Sequence, residues 1–208
     1  MDNTYAGRTK YTPERARKYQ KRPDAKHRAE MKLLDRAFQL IPKDYRVLDA
    51  PCGGGRVSVH LAGRGYRMSA ADLSPAMVEV ARENMAAHNL TLTVEQQDVE
   101  KFTYADRHFD AVISFRLFHH FPTADIRRRV VRELCRIADK NVVLSYFHPS
   151  LSTLRRKIRE RKKGAQKYIT ALPEVEGYFQ EAGFRLVKDF AQLPVIHTLH
   201  VAVFERSR

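Results

Sequence analysis

The run Val47-Leu48-Asp49-Ala50-Pro51-Cys52-Gly53-Gly54-Gly55 puts a carboxylate and three glycines between an apolar stretch and a helical pattern. Glycines at such a turn accept positive φ and let a ligand approach the backbone closely. The N–H groups that open the next helix favour a carboxylate or phosphate. A second acid, Asp72, ends the next apolar stretch, 23 residues after Asp49. An acid about 20 residues beyond a glycine-rich turn grips a ribose in nucleotide-binding α/β sheets. A tight loop and a helix-capping acid explain each piece singly. Together, and in this order, they point to a nucleoside-bearing cofactor. The pattern is not a dinucleotide fingerprint, because Arg56, Val57 and Ser58 follow Gly55 where G-x-G-x-x-G needs another glycine, and no phosphate-binding G-x-x-x-x-G-K-[ST] occurs.

Histidine suits general-base work near neutral pH. His119, His120 and His148 all fall just after strand-like segments, at the end where open α/β sheets bind ligands. A structural or surface role is the plainer reading of each. His197 and His200 are three apart on a strand-like segment, so they face opposite sides and make poor metal partners. The two cysteines, Cys52 and Cys135, form no C-x-x-C. No metal site is expected. Two cysteines suit a reducing compartment, and the N-terminal segment shows no signal-peptide pattern, so the expected location is cytoplasmic.

These residues need a scaffold, and the middle of the chain supplies alternating strands and helices. Strands are expected at Tyr45–Ala50, Tyr66–Ala71, Leu90–Glu95, Phe109–Ser114 and Asn141–Phe147. Helices are expected from Arg56 to Ala62, from Ser74-Pro75 to near His88-Asn89, and over Ala124–Ala138. A helix over Pro173–Ala182, closed by Gly183, leads to strands at Phe184–Phe190 and His197–Phe204. Such a β-α series predicts a parallel sheet with helices on both faces. The chain of 208 residues is expected to form one domain. Within it lie a basic N-terminal helical extension over 1–44, a core over 45–147, a lid-like insert over 148–172, and a C-terminal helix and hairpin over 173–208.

Net charge is +14, but unevenly spread. Residues 1–45 carry +6, residues 46–112 carry −2 and residues 113–208 carry +10. The densest run is Arg155, Arg156, Lys157, Arg159, Arg161, Lys162, Lys163 and Lys167 against Glu160 alone. Leu151, Leu154 and Ile158 make a narrow apolar stripe there, an amphipathic basic pattern. With Tyr11, Arg15, Arg17, Lys18 and Tyr19 it could form a lid. An anionic small or lipid-linked molecule, an anionic membrane surface or RNA could each approach it, and a solvated face that serves only solubility is the plainer alternative. No aromatic stacking surface or recognised RNA-binding module favours RNA.

The glycine-rich run resembles the first motif of class I S-adenosylmethionine-dependent methyltransferases, with Pro51 in place of the first glycine. The likeness continues in order and is closest to the small-molecule, ubiquinone-biosynthesis-like branch. Its further motifs are Ala71-Asp72-Leu73-Ser74-Pro75-Ala76-Met77, Gln97-Asp98-Val99, Phe109-Asp110-Ala111-Val112-Ile113-Ser114, Leu117-Phe118-His119-His120-Phe121 and Glu181-Ala182-Gly183-Phe184. It covers 45–147 well and 173–204 loosely. The resemblance implies a Rossmann-like α/β fold with a seven-stranded, mostly parallel sheet and an antiparallel last strand. It implies S-adenosyl-L-methionine as methyl donor. Asp49 would hold the methionine amino group, and the loop from Pro51 through Gly53 and Gly55 would pass under the methionine portion. Asp72 would accept from the ribose hydroxyls, Asp98 from the adenine amine, and the Val99 N–H would face a ring nitrogen. Leu73 and Met77 would pack the adenine, although plain helix core explains Met77 equally well. Ser114 would lie beside the sulfonium, and His120 is the preferred base.

The acceptor is then expected to be small or lipid-linked, and anionic. The exocyclic-amine motif [DNS]-P-P-[YFW] is absent after the fourth strand, where the chain reads Ser114-Phe115-Arg116-Leu117. An RNA methyltransferase using the basic flanks, or a non-catalytic cofactor-binding partner module, are the alternative readings.

Overall fold

The computed structural model describes residues 24–151, 167–193 and 196–207. The proposed contacts of Tyr11, Arg15, Arg17, Lys18 and Tyr19, and of the basic run from Arg155 to Lys163, lie outside them. The order of elements is α1 (Asp24–Phe38), β1 (Arg46–Asp49), α2 (Arg56–Ala62), β2 (Arg67–Asp72), α3 (Pro75–Ala87), β3 (Val94–Gln96) and β4 (Phe109–Ser114). A 3-10 turn (Phe118–His120) follows, then α4 (Ala124–Ile137), β5 (Ala138–Phe147), α5 (Leu172–Glu181), β6 (Phe184–Ala191) and β7 (Leu199–Arg206). The seven strands form one sheet in the order β3-β2-β1-β4-β5-β7-β6. β7 runs antiparallel to both its neighbours, and the other described pairings are parallel. The expected sheet is present. Strand order reverses between β1 and β4, which opens a crevice at their carboxyl ends.

Two apolar layers cover the sheet. On one face α1 and α2 pack Leu34, Phe38, Val57 and Leu61 against Val47, Ile113, Val143 and Val203. On the other, α4 and α5 pack Val130, Leu134, Val175 and Phe179 against Val112, Leu144, Ala202 and Phe204. Thr123 caps α4 through its hydroxyl, which accepts from the Ile126 N–H at 3.3 Å. The arginines of α4 point outward into ion pairs, among them Arg128 with Glu181 and Arg129 with Glu100.

One expectation is revised by the structure. The third strand was expected over Leu90–Glu95, but only Val94–Gln96 is strand. Leu90 and Leu92 turn toward the α3 cluster instead of alternating along a strand, and β3 is an edge with one neighbour to hold it. The helical extension expected over 1–44 contains α1, which buries Met31, Leu33, Leu34, Ala37 and Phe38 in the core. Its lysines and arginines hide an apolar stripe at helical spacing.

Candidate active site

Asp49 closes β1 at the crevice, and the following loop is stitched to both neighbouring strands. The Ala50 N–H donates to the Ile113 carbonyl at 2.9 Å and the Cys52 N–H to the Ala71 carbonyl at 2.8 Å. The Gly53 N–H donates to Asp72 Oδ2 at 2.9 Å, and Asp72 Oδ1 accepts from the Ser74 N–H, also at 2.9 Å. One carboxylate therefore clasps the glycine loop to the start of α3. Each oxygen keeps a lone pair for a further donor. Asn84 Nδ2 donates to the Gly54 carbonyl at 2.9 Å. Gly55 has φ +78°, and a Cβ there would meet Met85 Cε at 3.1 Å and Ala81 Cβ at 3.3 Å. The left-handed conformation favours glycine, and a Cβ would crowd both neighbours.

Asp49 is wholly buried. Its Oδ2 accepts from Ser58 Oγ at 2.6 Å, while Oδ1 has no hydrogen-bond partner. Burial pushes its carboxyl up to about 7, against the lowering influence of the Ser58 hydrogen bond and of Arg56, and Asp72 adds to the rise. Asp72 is also raised, chiefly by burial, and the N–H groups of Ser74 and Gly53 oppose this. Burial likewise raises the Cys52 thiol, so it stays protonated. Two buried acids beside a glycine loop favour a cation that brings its own hydrogen-bond donors.

The remaining predicted residues sit around this pair. Ser114 closes β4, with its hydroxyl buried and unpartnered. Leu73 and Pro51 are half-buried, and Leu73 offers its carbonyl to Gln96 Nε2. Asp98 Oδ1 accepts from the Glu100 N–H at 3.0 Å, and Val99 is buried. Met77 is fully buried beside Val80, which is the helix-core alternative.

The three histidines do not form one group. His119 is buried, and its ring stacks on Phe147 with centroids 4.0 Å apart and planes 9° from parallel. His120 lies beside it, with ring centroids 4.2 Å apart. His148 is separate: its Nδ1 is 2.7 Å from the Pro149 carbonyl, and its ring stacks on His200. His200 in turn holds Asp189 at 2.6 Å. Among the described residues no cluster could hold a metal ion.

Residues 47–141 match a family described as a methyltransferase domain. The ubiquinone biosynthesis O-methyltransferase of Coxiella burnetii is 32% identical over 84 residues, which are 40% of this chain and 36% of that protein. The protein of the same name from Xanthomonas axonopodis pv. citri is 37% identical over 92 residues, 43% of this chain and 38% of that one. The chain thus spans a little over a third of the length of these curated relatives. The magnesium protoporphyrin IX methyltransferase of Synechocystis, solved with bound S-adenosylhomocysteine, has the same fold. It superposes with a TM-score of 0.71 at 22% identity, covering 88% of this chain and 83% of that one. Residues 47–141 thus form a methyltransferase domain, on the fold of a class I S-adenosylmethionine-dependent enzyme. This methyltransferase domain also uses residues that the motifs did not flag. Ser58 holds Asp49 from the inward face of α2. Glu30 on α1 pairs with both Arg56, at 2.7 Å, and Arg116, at 3.5 Å. Such pairing between distant segments leaves no local signal in the sequence.

Proposed function

We propose that the protein transfers a methyl group from S-adenosyl-L-methionine to a small or lipid-linked anionic acceptor. The observation that carries this reading is Asp49, a buried acid with one oxygen unpartnered, beside a carboxylate that clasps a glycine loop. S-adenosylmethionine supplies an activated methyl on a positively charged sulfur. The residues present fit it. Asp49 Oδ1, which has no partner, would accept from the methionine ammonium, and Gly55 leaves the loop free of a side chain. Asp72 retains lone pairs for the ribose hydroxyls, and Asp98 and Val99 lie past the end of β3 for the adenine. Ser114 sits where β4 meets the crevice. Positioning alone supplies much of the rate for a displacement at a sulfonium. Where the acceptor is a hydroxyl, His120 is the base this reading favours, with His119 fixed beside it by stacking on Phe147.

Incubation with methyl-labelled donor, separately with a panel of low-mass organic acids and with total RNA, tests the acceptor class. Label in a member of the acid panel is expected. Label in RNA alone would overturn the acceptor assignment.

A further inference from the structure

Beyond the two acids of the donor site, the crevice holds a group of basic side chains. The acids, Asp49 and Asp72, are on the β1–β2 side. Arg56 opens α2 beside Asp49, and past the ends of β4 and β5 stand Arg116 and Lys167. Arg116 is two residues beyond Ser114 and has φ +67°, a left-handed conformation that costs a non-glycine residue energy. Its N–H donates to Ser145 Oγ at 2.6 Å, which locks the turn. This turn lays the guanidinium over the Phe147 ring, 5.3 Å from the centroid. Lys167 lies 5.8 Å from the same centroid, and His119 stacks on that ring. Arg56 is held over Phe115 at 5.2 Å. Glu30, with a side chain only 4% exposed, faces both guanidinium groups.

We infer that Arg116, assisted by Lys167, receives a carboxylate of the methyl acceptor, and that Glu30 is the resting counter-ion that this carboxylate displaces. The inference rests on the proposed methyl transfer and adds the residues that choose the acceptor. A planar guanidinium fixed over an aromatic ring offers a fork that matches a carboxylate. Glu30 occupies that role in the free protein, and its 3.5 Å approach to Arg116 is looser than its 2.7 Å pairing with Arg56. Exchange at Arg116 therefore leaves Glu30 still paired. The arrangement also sets a negative acceptor opposite a positive donor, so each draws the other into the crevice.

The test is calorimetric titration of the full chain, saturated with S-adenosylhomocysteine, using benzoate, benzamide and inorganic phosphate as probes. Benzoate should bind saturably and benzamide should not. Arg116→Gln should weaken benzoate by about tenfold or more, and Arg116→Lys should lie between it and the wild type. Glu30→Gln should tighten benzoate, a change of sign that general loosening would not produce. Affinity for S-adenosylhomocysteine should stay within about twofold in the Arg116 variants, which also reports that they are folded. Saturable phosphate without benzoate, equal benzoate binding in Arg116→Gln, or loss of S-adenosylhomocysteine in its place would each overturn the assignment. Failure of the wild type to bind S-adenosylhomocysteine would instead strike the methyl-transfer reading beneath it.

Discussion

Asp49→Asn separates what the donor site costs the fold from what it does for binding. In the free protein burial holds the Asp49 carboxyl at about 7, against an ordinary 3.8. The folded state therefore keeps a proton that the unfolded chain releases. That contribution to stability is full below 3.8 and is lost as pH rises through about 7. At about 1.4 kcal/mol per pH unit, the roughly three-unit shift costs the fold about 4 kcal/mol once pH exceeds 7. Asparagine keeps the shape and can still accept from Ser58, but carries no charge to bury. Between pH 5.5 and 8 the native carboxyl holds its proton over about the first 1.5 units, so the variant's stability advantage should widen by about 2 kcal/mol. Urea unfolding of ligand-free wild type and variant at the two pH values measures this. The same variant should bind S-adenosylhomocysteine about a hundredfold or more weaker, because the ligand ammonium loses its buried counter-ion. A stability difference that does not change with pH would refute the burial argument, and unchanged affinity would refute the assigned role.

Three further outcomes follow from the same geometry. Gly55→Ala should destabilise the fold by about 1–3 kcal/mol, through left-handed strain and crowding against Met85 and Ala81, as read from the thermal midpoint. Asp72→Ala should weaken S-adenosylhomocysteine by at least about tenfold by calorimetry, because it removes the ribose acceptor and frees the Gly53 N–H. Thr123→Ala should cost about 1 kcal/mol in urea unfolding through loss of the α4 cap, with ligand affinity unchanged.

The donor half of the site was legible because its chemistry is written locally. A glycine turn behind a strand and an acid at the end of the next strand define each other through chain geometry, and the Gly53–Asp72 hydrogen bond joins those two motifs. Pro75 after Ser74 placed the start of α3 correctly. Met77 was ambiguous in the sequence because an adenine face and a helix core ask for the same apolar side chain. The short β3 was overrun because Leu90 and Leu92 alternate like a strand while packing as a loop. The residues proposed to receive the acceptor were hidden for a different reason. Arg116, Glu30, Ser145 and Phe147 come from three separate places, the turn after β4, α1 and β5, and only the assembled sheet brings them together. The basic residues of α1 looked like a charged extension, yet the helix buries its other face and delivers Glu30 to the site. Among the described residues no helix is long and apolar enough to cross a membrane.

Calorimetric titration of the wild-type protein with S-adenosylhomocysteine tests the central claim most directly. The account predicts saturable binding of one ligand per chain, strongly weakened by Asp49→Asn. Absence of binding at millimolar ligand would contradict it.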